Sequence, residues 1–197
     1  MELHELKNTW LVLDEQLKKN ETLNNQIIQE MLQKKSNKSL NRLLNTDFFG
    51  LILLLIAIPV AIFGYQLPRF ENFLFPKILF AVIIPIALIG LVFYCYKLKY
   101  LMKMNFSKSV KDNMYCLNKY IIMIKQEMLA TVVIALIFAI LGALSYYEFK
   151  ADFSYWTFLI AGVALGVLLS FWMFKRIYNT NIHSIKQSLA DLEELKD

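Results

Sequence analysis

The sequence predicts an all-α polytopic membrane protein, four transmembrane helices with amphipathic helical extensions on the cytoplasmic side. Three observations carry this. Phe48–Tyr65, Ile78–Tyr96, Met128–Tyr147 and Phe153–Phe174 contain no charged residue, and a helix needs about 20 mainly apolar residues to cross about 30 Å of hydrocarbon. Hydrophobic residues make up 57% of the chain, above the about 45–50% apolar content of soluble domains on a similar residue count. Eighteen of the 21 lysines and arginines fall before the first span, between the second and third, or after the fourth. Only Arg69, Lys77 and Lys150 lie in the two short loops, so the positive-inside rule places both termini in the cytoplasm.

The segment before the first span is helical. Leu3, Leu6, Trp10, Leu13 and Leu17 step by three and four, a heptad stripe, with Glu5, Lys7, Asp14, Glu15 and Lys18 on the other faces. Asn20 and Thr22 offer N-caps for a second helix carrying Leu23, Ile27 and Met31. Ser36-Asn37-Lys38-Ser39 then reads as a joint, with Ser39 capping a helix that enters the membrane. Pro59 and Pro85 fall inside the first and second spans, where each removes a backbone donor.

The middle segment carries its own seam, Val110, Met114, Leu117, Ile121, Ile124 and Met128, and the tail repeats it with Ile182, Ile185, Leu189 and Leu192. Aromatic residues collect at span ends, among them Tyr94, Tyr96, Tyr146, Tyr147, Trp156 and Trp172, where amphipathic rings favour headgroup depth. The chain thus divides into cytoplasmic N-terminal helices (1–46), a transmembrane hairpin (47–96), a cytoplasmic connecting helix (97–126), a second hairpin (127–174) and a cytoplasmic C-terminal helix (175–197). A polar helix leading into a hairpin occurs twice, which admits a two-fold tandem repeat.

Small residues four apart let helix backbones approach closely in lipid. The fourth span has Gly162, Gly166 and Ser170 at that spacing, and the third has Ala135, Ala139 and Ala143. Two arrangements follow: the third span against the fourth within one chain, or the fourth against its copy in a homo-oligomer.

Chemistry finds little footing. No Asp, Glu, Lys, Arg or His lies mid-span, whereas proton relays and ion-coupled carriers use buried ionisable groups. His4 and His183 sit in separate helices without a Cys or carboxylate at ligand spacing. No zinc-protease, nucleophile-elbow or phosphate-loop motif occurs. The expectation is a non-enzyme without metal or cofactor. Cys95 and Cys116 lie outside the external loops, against a structural disulfide. The net charge of +5 sits beside the spans, so anionic headgroups rather than nucleic acid are its natural counterpart. Met1–Trp10 lacks the apolar core of a cleaved leader, and the first span is expected to act as the insertion signal.

Glu5-Leu6-Lys7-Asn8-Thr9-Trp10, followed by a lysine-rich helix and hydrophobic hairpins, resembles small four-span inner-membrane proteins of Bacteroides-type bacteria, often encoded beside extracytoplasmic-function sigma factors. The resemblance covers the layout of the chain, with Leu-Lys-x-x-Trp as its recognisable element. It implies a membrane-tethered, anti-sigma-like regulator whose N-terminal helix holds a sigma factor. Unlike better-known anti-sigma proteins, the chain has no zinc-binding His/Cys cluster and no sizeable external sensor domain.

The residues themselves leave several readings open. Leu3, Leu6, Trp10, Leu13 and Leu17 pack into a helical bundle under the membrane, enter a partner's groove, or lie on the membrane surface. Glu2, Glu5, Asp14 and Glu15 weaken the last. Beside partner capture stand a self-associating scaffold or accessory subunit using the fourth span, and a hydrophobic-substrate channel or carrier, which needs a cavity between the spans.

Overall fold

A single helix, α1, runs without interruption from Leu3 to Gln66, 64 residues and about 96 Å at 1.5 Å per residue. The computed structural model describes residues 3–67, 72–107, 109–149 and 153–195. After α1 come α2 (Leu74–Lys103), α3 (Val110–Phe149) and α4 (Phe153–Met173). One π-helical turn, Phe174–Asn179, joins α4 to α5 (Thr180–Glu194). No strand occurs among the described residues. Among the described residues four helices are long and apolar enough to cross a membrane, and the chain is an all-α, multi-pass membrane protein. An even number of crossings puts both termini on one side, here called the terminal side.

The joint expected at Ser36–Ser39 does not exist. Ser36 and Ser39 are buried, and the Ser39 hydroxyl lies 3.2 Å from that of Ser184 on α5. These small residues are contact positions where α5 approaches α1, not cap residues at a break. The caps expected at Asn20 and Thr22 are absent for the same reason: the helix continues, and the Thr22 hydroxyl donates to Lys19 O at 2.9 Å. The prolines leave α1 and α2 continuous as well. The connecting segment is not one helix but the end of α2, a short turn and the start of α3. Asn113 organises that turn: Asn105 N donates to its Oδ1 at 2.8 Å, while its Nδ2 donates to Asn105 O at 2.7 Å and Ser109 O at 3.1 Å.

Neighbours in sequence are neighbours in space: α1 packs on α2, α2 on α3 and α3 on α4, and α5 returns to cover α1 and α3 on the terminal side. Helices α1 and α2 close tightly where Gly64 meets Phe80 and Gly50 meets Tyr94. The main buried core lies beside the membrane region. It joins Leu40 and Leu43 of α1, Leu101 of α2, Leu117 and Ile124 of α3, and Ile185 and Leu189 of α5. The spans keep most of their large apolar side chains on the outside, because lipid tails are as apolar as leucine and provide no drive to bury them. The middle and tail seams contribute to this core, and Trp10, Leu13 and Leu17 of the N-terminal stripe do not.

At the opposite rim, a carboxylate from one hairpin caps a helix of the other. Leu74 N and Phe75 N, two orphan donors at the start of α2, donate to Glu148 Oε1 and Oε2 at 2.6 and 2.8 Å. No side chain of α2's own N-cap residue does this. Glu148→Ala is expected to lower stability by about 1–2 kcal/mol, measured by denaturant titration in detergent, and Glu148→Gln should recover part of the loss.

Candidate functional site

On the terminal side, Asp47 stands directly before the first charge-free stretch, Lys97 directly after the second and Glu127 directly before the third. The up-and-down order brings all three ends to the terminal side, where they meet. Lys97 Nζ lies 2.7 Å from Asp47 Oδ1 and 2.6 Å from Glu127 Oε2. The side chains of Lys97 and Asp47 are fully buried, and that of Glu127 is 24% exposed.

Tyrosines complete the cluster. Tyr120 of α3 donates to Asp47 Oδ2 at 2.8 Å, and Tyr178 of the π turn donates to Asp47 Oδ1 at 2.8 Å. Tyr94 of α2 donates to Glu127 Oε1 at 2.6 Å. All four carboxylate oxygens thus have donors. Lys97 Nζ also reaches the Tyr178 hydroxyl at 3.4 Å and sits 4.7–5.6 Å from the ring centres of Tyr178, Tyr94 and Tyr120, within cation–π range. Burial, and then the Asp47 carboxylate, push the hydroxyls of Tyr120 and Tyr178 well above the ordinary tyrosine range. Both stay neutral donors.

Two local devices make room for this. Gly50 has no side chain where a Cβ would lie 2.8 Å from the Tyr94 ring and hydroxyl. The π turn carries Tyr178, whose side chain is buried beside the spans.

Two clefts flank Glu127 and Tyr94. The larger, about 740 Å³, lies between α1, α2 and α3 and is lined by Leu54, Ala57, Ile86, Gly90 and Phe93, with Glu127 and Tyr94 at its polar end. The smaller, about 210 Å³, lies towards Ser170, Met173 and Tyr178. The polar groups of the cluster are paired with one another and tie α1, α2, α3 and the π turn together. Among the described residues no group of three His, Cys, Asp or Glu side chains is placed to hold a metal.

The residues singled out in the sequence lie elsewhere. Trp10, Leu13 and Leu17 are 68%, 48% and 64% exposed and touch none of the core. The side chains of Leu3 and Leu6 lie outside the described residues. On α4, a side chain added at Gly162 or Gly166 would meet nothing within 4 Å, so these glycines are not the surface that packs on α3. The α3–α4 contact uses Gly142, where Leu159 fills the space a Cβ would need, and the Tyr146 and Trp156 rings, 5.0 Å apart. Ala135, Ala139 and Ala143 are half-buried, and the Ser170 hydroxyl donates to Gly166 O of its own helix at 2.9 Å.

The charged cluster was not anticipated, because each of its members read singly as the polar edge of a span. The available signal was their position: Asp47 and Glu127 open the two hairpins at equivalent places, and Lys97 closes the first. No protein-family model, curated protein or solved structure matches this chain.

Removing one member of a buried ion pair leaves a charge uncompensated, at about 3–5 kcal/mol. Lys97→Met should therefore lower stability by about that amount in a detergent unfolding titration. Adding Asp47→Asn and Glu127→Gln should restore much of it, whereas a triple variant no better than Lys97→Met would show that the ammonium acts through packing alone.

Proposed function

We propose that this chain is a non-enzymatic, membrane-tethered regulator of the bacterial inner membrane, with cytoplasmic termini, that holds a soluble protein through the N-terminal part of α1. The capture surface is Leu3, Leu6, Trp10, Leu13 and Leu17. One observation carries the reading: Trp10, Leu13 and Leu17 are left open to solvent on a helix continuous with a transmembrane span. The Asp47–Lys97–Glu127 cluster fixes the base of that helix. An amphipathic helix of this kind suits a partner's apolar groove, and Trp is the residue type most enriched among binding hot spots. The distribution of lysine and arginine supports the cytoplasmic placement. The resemblance of the opening segment to proteins encoded beside sigma factors makes a sigma factor the first partner to test, which gives the anti-sigma-like form of the reading.

Crosslinking pull-down from native membranes tests it, comparing the intact chain with one lacking residues 1–20. A soluble partner should be recovered with the first and lost with the second. Trp10→Ala should weaken capture at least tenfold while carbonate-resistant membrane insertion is unchanged; equal capture by both chains overturns the assignment.

The open face of Gly162 and Gly166 favours a second reading, a self-associating scaffold or accessory subunit joined through α4. Gly166→Leu would then shift the size distribution in bilayer nanodiscs towards single copies, and an unaltered distribution removes that interface.

A further inference from the structure

The continuity of α1 joins two stripes that would otherwise belong to separate helices. With no break at residues 20–22, the series Leu3, Leu6, Trp10, Leu13, Leu17 runs on through Asn20, Asn24, Ile27 and Met31 at unbroken three- and four-residue steps. That is one heptad seam over more than four heptads. Ile27 and Met31 are 57% and 65% exposed, and Asn20 and Asn24 are exposed as well. Buried positions of α1 between this seam and the membrane, among them Ser36, Leu40 and Leu43, lie off the seam and face the core.

We propose that the seam is covered by a second copy of this chain, the two α1 helices forming a parallel, two-stranded coiled coil. Three features favour a second copy over an unrelated groove. First, Asn20 and Asn24 occupy seam positions, where an amide facing the identical amide of a copy finds its hydrogen-bond partner, as in coiled coils whose register an asparagine fixes. An apolar groove would leave both amides unpaired and desolvated. Second, the flanking charges match: in a parallel pair Glu30 of one helix faces Lys35 of the other, while no flanking pair between residues 16 and 35 sets lysine against lysine. Third, α1 leaves the membrane in the same direction in every copy inserted with one topology, so parallel alignment is imposed. Confinement to one bilayer also raises the effective concentration of the second helix.

The seam and its phase stand without the capture reading, but they include Trp10, Leu13 and Leu17. Pairing and capture therefore exclude each other, and a soluble partner has to displace the second copy. Self-pairing acts as the competitor that sets how readily the stripe is released.

Disulfide trapping in native membranes tests this with the full chain, in a background where the exposed Cys95 is replaced by serine. Asn24→Cys places a thiol on the seam, and Thr22→Cys places one on the outer face of the same helix. A seam pair brings the two α-carbons into the roughly 4.4–6.8 Å range that a disulfide spans. Under mild oxidation Asn24→Cys should form dimers at least ten times faster than Thr22→Cys, and adding Ile27→Lys and Met31→Lys should remove the difference. All these positions are exposed in the single chain, so the substitutions leave its core untouched. Equal rates at the two positions, or trapping at Thr22→Cys alone, overturns the pairing. A soluble partner recovered from a chain that does not pair sinks this inference and leaves capture standing; pairing with no soluble partner does the reverse.

Discussion

One ammonium group, Lys97 Nζ, decides where three helices sit relative to each other. Surfaces that face lipid give a transmembrane helix little reason to prefer one depth or rotation, because an apolar residue exchanged for another costs almost nothing against hydrocarbon. A buried cation with two carboxylates removes that freedom. Sliding any of α1, α2 or α3 by a turn would strand a charge in a dry environment, at several kcal/mol. The tyrosines extend the same constraint to the π turn through Tyr178, so that α5 is tied to the spans by a hydrogen bond as well as by its apolar seam.

Stability is consequently divided between two solvents. Along the spans each helix packs on the next, with glycines making room where α1 meets α2 and where α3 meets α4. Beside the bilayer, water supplies the drive that lipid does not, and there the seams of α3 and α5 close over α1 and α2. The charged cluster stands at the junction. Its inner end faces the 740 Å³ cleft and its outer end the apolar core, which is why Glu127 alone among the three charges keeps some exposure.

The spans were legible because charge-free runs of membrane length leave few alternatives, and the two packed seams because their period matches a helix. Three features were not. Ser36 and Ser39 carry the signature of a joint, yet the same small polar residues serve equally where two helices touch, and only the presence of α5 decides between these. Small residues four apart marked α4 as a packing surface, but the contact with α3 was decided by Gly142 and Leu159, a pair without such a pattern. The cluster needed knowledge of which span ends are neighbours, which no residue of the three carries alone.

The unbroken course of α1 has a mechanical corollary. A continuous helix held at Asp47 reaches Trp10 some 37 residues away, roughly 55 Å, while the membrane span forms its short arm. A change of about 10° in the tilt of that span therefore sweeps the indole through roughly 10 Å. Small rearrangements of lipid or of neighbouring spans are magnified at the far tip, where a hinged chain would have absorbed them.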